Sequence, residues 1–378
     1  MRILFFHNTA TAYRIPLFIE LAKKSDVKFI FTDMQLNKKI YNNSVNYEKL
    51  KDLDYIELSY GIEAFKEIKK IFVEDFKNID IVELPPLDSL SEYIKGVYIY
   101  LLAKRKNIRI VYFWEKWEAP KDKMPLKRRL KNYLLKSAGQ IIFKNVDICF
   151  APGSKAEEYF INAGVQSDRV KIMPDACEVE ECEYENLREK YGIEEDKKVI
   201  LYFGRIIKQK GLDYLLKAYS QLPINIQDNF YLLIVGDGDF KEYCENLSDT
   251  LRLQNIKFVG SVNPQYRYLY FSQCDIFVHP GTFYEGRTDV WGLTINEALQ
   301  FGKVIISTNA VGSAYDLINE NNGFMVEESN VDELRQAIIN ISNHNIDFIS
   351  KIESDRLKKI YSYENMANAF LNNVSKLL

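Results

Sequence analysis

Arg205 and Lys210 stand in the segment Gly204-Arg205-Ile206-Ile207-Lys208-Gln209-Lys210-Gly211, directly after the apolar run 199–203. A planar guanidinium and a compact ammonium at the carboxyl end of a strand suit a diphosphate, and they would offset charge growing on a departing nucleotide. A second glycine turn, Gly236-Asp237-Gly238-Asp239, follows the run 231–235. Its Asp-x-Asp pattern holds a divalent metal in other transferases. Here the turn leads into a helix, where Asp239 is placed to cap the first turn and the glycines let backbone pass close to a ligand. No metal site is expected. A dinucleotide fingerprint is excluded too, because Lys241 stands where its third glycine belongs.

The third constellation is His279-Pro280-Gly281 followed by Asp289-Val290-Trp291-Gly292-Leu293-Thr294-Ile295-Asn296-Glu297-Ala298. Trp291 and Gly292 mark the start of a helix that turns Leu293, Ala298 and Leu299 inward, so the amides of its first turn are offered to a diphosphate or sugar. Helical side chains lean toward the helix N-terminus. Glu297 therefore reaches back toward the same ligand, where a carboxylate accepts from two vicinal hydroxyls. Asp289 approaches from the other side.

In this order, Gly-Arg-x4-Lys-Gly, Val-Gly-Asp-Gly and the acidic-x7-Glu run resemble the retaining GT-B glycosyltransferases of family 4, the glycosyl transferases group 1. The likeness covers the C-terminal half and, more weakly, residues 149–175. It implies a metal-independent transfer of a hexose from a nucleotide sugar, which is a substrate, so no cofactor is implied. By position, Arg205 and Lys210 hold the diphosphate beside Gly204, and Glu297 holds the ribose. Asp289 with the Gly292, Leu293 and Thr294 amides holds the sugar, and the base lies near Gly236, Asp237, Gly238 and Val259. The family commonly has Glu where Asp289 stands, and Glu285 is a possible substitute. UDP-hexose is preferred over GDP-mannose as donor. The implied acceptor is a hydroxyl of a glycan or lipid-linked glycan in cell-surface polysaccharide synthesis. With no nucleophile in sight, the departing diphosphate is expected to help deprotonate that hydroxyl as it attacks from the same face. Two alternatives are a sugar-nucleotide epimerase of the same architecture and a non-catalytic sugar- or lipid-binding partner.

The N-terminal half lacks the family's glycine-rich first loop and has residues 8–16 in its place, including the Tyr-Arg-Ile-Pro-Leu-Phe variant. Acceptor or sugar candidates here are His7 at the end of the first strand, Arg14, Trp114 and Glu115. Trp114 and Trp117 suit stacking on sugar faces and Glu115 suits hydroxyls, although packing explains the same residues. Residues 121–136 carry seven cations against one acid, with Leu126, Leu130, Tyr133 and Leu134 on one helical face. Such a helix either lies on anionic lipid or turns its apolar face into the core.

These residues are positioned by two series of alternating strands and helices. The first has β-rich runs at 3–7, 27–32, 79–84, 108–113, 147–151 and 170–173. The second has them at 199–203, 231–235, 256–259, 276–279 and 304–307, with Leu212, Leu215, Leu216 and Tyr219 forming one helical face. The acidic stretch 174–198 between them lacks periodicity. The expected architecture is α/β, with two Rossmann-like doubly wound domains facing each other across a cleft, the GT-B arrangement. Residues 1–178 form the acceptor-side domain and 179–361 the nucleotide-sugar domain, with a helix at about 362–378 crossing back onto the first.

The balance of 50 Lys and Arg against 53 Asp and Glu gives no field that would favour nucleic acid. Five cysteines without a Cys-x-x-Cys pair point to a reducing compartment. The opening MRILFFHN lacks a signal peptide's apolar core. The expectation is a cytoplasmic protein, peripheral at the inner face of the cell membrane.

Overall fold

The computed structural model describes residues 1–35, 47–343 and 351–378. The chain divides into two units, one of Met1–Lys116, Arg129–Ala176 and Ser362–Leu378, the other of Trp117–Arg128 and Cys177–Tyr361.

The first unit is built on strands β1 (Arg2–His7), β2 (Asp26–Phe31), β3 (Tyr55–Glu57), β4 (Ile81–Glu83), β5 (Arg109–Phe113), β6 (Ile148–Ala151) and β7 (Val170–Ile172). They pair in the order β3-β2-β1-β4-β5-β6-β7, all parallel. A parallel sheet needs cover on both faces, which is why its strands read as unbroken apolar runs. Leu4 and Phe6 belong to one core layer, Ile3 and Phe5 to the other. The C-terminal helix Tyr363–Val374 completes the second layer, with the Phe370 ring 5.6 Å from Phe5 and 5.1 Å from Phe150.

In the second unit, β8 (Lys198–Phe203), β9 (Phe230–Val235), β10 (Ile256–Gly260), β11 (Ile276–His279), β12 (Val304–Thr308) and β13 (Gly323–Val326) form a parallel sheet in the order β10-β9-β8-β11-β12-β13. The winding direction reverses between β8 and β11. In open α/β sheets that reversal opens a crevice at the carboxyl ends of the strands, where ligands bind. The helix Leu212–Ser220 buries Leu212, Leu215, Leu216 and Tyr219, as its periodicity required.

Four elements depart from the sequence reading or decide between its alternatives. Strands β3 and β13 were not predicted; both are sheet edges with half-exposed residues, so neither forms a buried apolar run. The acidic stretch holds a short helix, Leu187–Tyr191, capped by Asn186 and ended by Gly192 at φ 64°. Finally, the apolar face of the helix Leu126–Phe143 does not enter the core: Leu126, Leu130, Tyr133 and Leu134 are 59–79% exposed.

Candidate functional site

The reversal point of the second sheet gathers Lys210, His279 and Asp289. Lys210 ends the short turn Lys208–Lys210 after β8, His279 ends β11, and Asp289 is pinned by a parallel bridge to Val311. The Lys210 ammonium is ion-paired with Oδ2 of Asp289, and His279 Nε2 lies 2.8 Å from that same oxygen. His279 Nδ1 lies 3.1 Å from the Thr294 hydroxyl. Burial would raise the Asp289 pKa, but the Lys210 charge and the His279 hydrogen bond outweigh it and hold the carboxyl well below its usual range. Burial, then the Lys210 charge, lower the His279 pKa against the pull of Asp289. The imidazole is thus neutral at pH 7. Its neighbours assign the proton to Nε2, donating to Asp289, while Nδ1 accepts from Thr294.

Arg205, by contrast, is exposed and enters no ion pair among the described residues, so its charge is the one left open at this edge. Lys208 in the same segment is held 2.7 Å from the buried Asp213 and lies 4.7 Å over the Phe240 ring.

The glycines do two different jobs. A Cβ on Gly236 would stand 1.8 Å from the Gly204 carbonyl oxygen, and one on Gly238 would stand 2.3 Å from that of Ile206. The turns after β8 and β9 therefore pack backbone on backbone. Around Gly204, at φ 157°, nothing stands within 4 Å of a built Cβ, which leaves room for a ligand. Asp237 accepts from the Gly238 amide at 2.8 Å. The expected Asp239 cap is not made: the helix begins at Lys241, behind Phe240, with no side-chain cap. Strand β10 bulges at Val259, between Phe258 and Gly260.

Gly292, at φ 72° with Val311 and His279 close by, starts the helix Leu293–Gln300 without a side-chain cap, so no cap covers the amides of its first turn. Glu297 on that helix is 2% exposed. Its Oε1 accepts from Nη1 of Arg267, a residue the sequence reading missed. Burial raises the Glu297 pKa and Arg267 opposes the rise. Glu285 is exposed on the turn between Tyr284 and Arg287 at φ 50°, with Met124 and Arg128 packed against neighbouring Gly286. Trp117 meets Phe283 and Tyr315 edge to face.

In the first unit His7, Arg14, Trp114 and Glu115 also come together. The buried Arg14 guanidinium lies 2.6 Å from Asp175, 2.5 Å from Glu115 and 4.9 Å over the Phe113 ring. Burial, then the Asp175 charge, push the Glu115 pKa up to about 8, against the pull of Arg14. His7 lies 3.0 Å from the Thr9 carbonyl through Nδ1, and burial and the Arg14 charge lower its pKa to about 3. Its Nε2 is buried without a hydrogen bond among the described residues, and its ring is 5.8 Å from half-buried Trp114. Glu83 at the end of β4, also missed, accepts from the Phe113 amide at 2.5 Å, and burial lifts its pKa well above the carboxylate range.

Residues 183–366 match the family model described as glycosyl transferases group 1. An uncharacterized glycosyltransferase of Methanocaldococcus jannaschii is 24% identical over 73% of this chain and 67% of its own length. A GDP-mannose-dependent monoacylated alpha-(1-6)-phosphatidylinositol monomannoside mannosyltransferase of Corynebacterium glutamicum is 33% identical, over 41% of this chain and 40% of its own length. Among solved structures, HepE of Anabaena, crystallised with UDP, superposes over all of both chains with a TM-score of 0.74 at 16% identity, a likeness of fold. With two Rossmann-like units of this kind and a glycosyl transferases group 1 domain matched over residues 183–366, the chain is a glycosyltransferase.

Proposed function

We propose that the protein is a retaining, metal-independent hexosyltransferase that uses UDP-hexose in preference to GDP-mannose. The observation that supports this reading best is the uncompensated charge of Arg205 beside the Lys210, His279 and Asp289 cluster, at the carboxyl edge where an α/β sheet binds its ligands. Arg205, Lys210 and the amides of Gly292, Leu293 and Thr294 take the diphosphate and sugar; Asp289 meets the sugar while orienting Lys210. Glu297 takes the ribose, and the base lies over Gly236, Asp237, Gly238 and Val259. The departing diphosphate accepts the proton of the acceptor hydroxyl as that hydroxyl attacks the same face of the sugar. HepE was solved with UDP and with UDP-glucose, while the Corynebacterium relative is named for GDP-mannose; the first supports the donor proposed here and the second is its competitor. Sugar transfer assayed in excess chelator with UDP- and GDP-hexoses tests the reading. Transfer should persist, with the anomeric configuration kept. Complete, metal-reversible loss, inversion, or epimerised donor in the absence of acceptor would each refute it.

The acceptor is proposed to be a hydroxyl of a glycan or lipid-linked glycan in cell-surface polysaccharide synthesis, reached at the inner face of the membrane. The exposed helix Leu126–Phe143 supports this contact. At 3.6 residues per turn, Leu126, Leu130, Tyr133, Leu134 and Ile141, each more than half exposed, form one stripe. Lys127 and Lys131 flank it on one side and Arg129 and Lys136 on the other, with no acid in the helix. An apolar stripe between cations fits the surface of an anionic bilayer. No helix among the described residues is long and apolar enough to cross a membrane. Flotation with phosphatidylglycerol vesicles should capture the protein, and the double variant Lys127→Glu, Lys131→Glu should release it. Equal capture by phosphatidylcholine alone, or self-association through the stripe without lipid, would overturn the contact.

A further inference from the structure

We infer that Arg267 is a positioning residue for the donor site, clamping one oxygen of Glu297 so that the other is presented to the ribose. The inference rests on the reading of Glu297 as the ribose anchor.

The geometry is specific. Arg267 opens the helix Arg267–Gln273, and its Nε donates to the Pro264 carbonyl at 3.1 Å, which fixes the guanidinium plane against the preceding turn. With Nε held there, Nη1 reaches Oε1 of Glu297. Oε2 of Glu297 takes no hydrogen bond among the described residues. The carboxylate is thus half engaged, with one oxygen fixed and one offered. A buried carboxylate without a partner takes up a proton, and a protonated carboxyl loses acceptor capacity for a ribose hydroxyl. Arg267 is the one cation that acts against burial at Glu297. It therefore supplies both the orientation and the charge of the group that meets the nucleotide. An arginine does this better than a lysine, because two edges of one rigid plane serve the two contacts at once.

Titration calorimetry with UDP and GDP, from about pH 5.5 to 8.5, on wild type, Arg267→Met, Arg267→Lys, Glu297→Gln and the Arg267→Met, Glu297→Gln double variant tests this. Arg267→Met should weaken binding of the preferred nucleotide about tenfold to a hundredfold, the scale of one charged hydrogen bond. The loss should grow as pH falls, because Glu297 without Arg267 is protonated at higher pH. Arg267→Lys should recover part of the affinity. The double variant should bind no worse than Glu297→Gln alone, since Arg267 acts through that carboxylate. Additive losses, or a loss that is the same at every pH, would overturn the inference, as would normal binding by Arg267→Met beside impaired Glu297→Gln. Normal binding by Glu297→Gln would instead remove the ribose anchor itself.

Discussion

His279 Nε2 and the Lys210 ammonium converge on one oxygen, Oδ2 of Asp289. The carboxylate is thereby locked before any ligand arrives, and the three groups together carry no net charge. Burial first, and then the Lys210 charge, keep His279 from protonating, while Asp289 pulls the other way. In Lys210→Ala the carboxylate remains and the opposing cation is gone. The His279 imidazole should then titrate at higher pH than in wild type, which the ring-proton shifts of this histidine would report by NMR. An unchanged or lower titration point would show that Lys210 does not set its charge.

Arg205 and Lys210 should separate in their effect on the fold. Arg205 is exposed and unpaired, so Arg205→Ala should leave stability within about 0.5 kcal/mol of wild type, as surface changes do. Its kcat/KM should still fall by at least ~2 kcal/mol of transition-state stabilisation, by analogy with a lost oxyanion donor. Lys210→Ala should lower activity similarly and also destabilise, because it leaves Asp289 part-buried without its cation. Denaturant midpoints set beside steady-state rates decide the point; equal stability of the two variants would contradict it.

The two glycine turns make a third separation. Ala at Gly236 would drive a methyl into the Gly204 carbonyl, 1.8 Å away, with backbone as the obstacle. Gly236→Ala should therefore cost several kcal/mol, the combined effect of overpacking and a φ of 143° that alanine resists. Gly204→Ala meets no atom within 4 Å and carries only the conformational penalty of roughly 1 kcal/mol. Its larger effect should be on UDP affinity, because the methyl occupies the space left for the ligand. Thermal melts with and without UDP distinguish the two.

What could be read from the chain follows from how each residue is positioned. Strands buried on both faces write themselves as apolar runs, so the central strands and the helix face of Leu212, Leu215, Leu216 and Tyr219 were legible. Edge strands β3 and β13 lack such runs and were not. Asp289 and Glu297 stood out because they flank one helix start in the chain. Arg267, the partner of Glu297, and Glu83, in the first unit, did not, since each comes from a different strand or turn, where a lone charged residue looks like surface. One signal was available for Glu83: a glutamate inside the apolar run Ile81-Val82-Glu83-Leu84 is costly to bury without a role. His279 was visible as a strand-end histidine, but only the fold shows it hydrogen-bonded between Asp289 and Thr294.

The carboxylates around Arg14 predict the pH dependence of stability. Glu115 and Asp175 share one guanidinium, so the site holds one more acid than cation. Burial and the Asp175 charge push the Glu115 pKa up to about 8 in the folded chain, against an ordinary value of about 4.3 when unfolded. Between those values the folded state binds the extra proton and the unfolded state does not. The contribution of Glu115 is therefore fully present below the unfolded pKa and is lost as pH rises toward about 8. Wild type should lose thermal stability as pH rises from about 5 to 8 through this group. Glu115→Gln stays neutral and keeps an oxygen to accept from Arg14, so it should flatten the decline and match or exceed wild type at the upper end. Melting curves of both proteins across that range test the assignment. A decline of unchanged slope in Glu115→Gln would place the extra proton on another group.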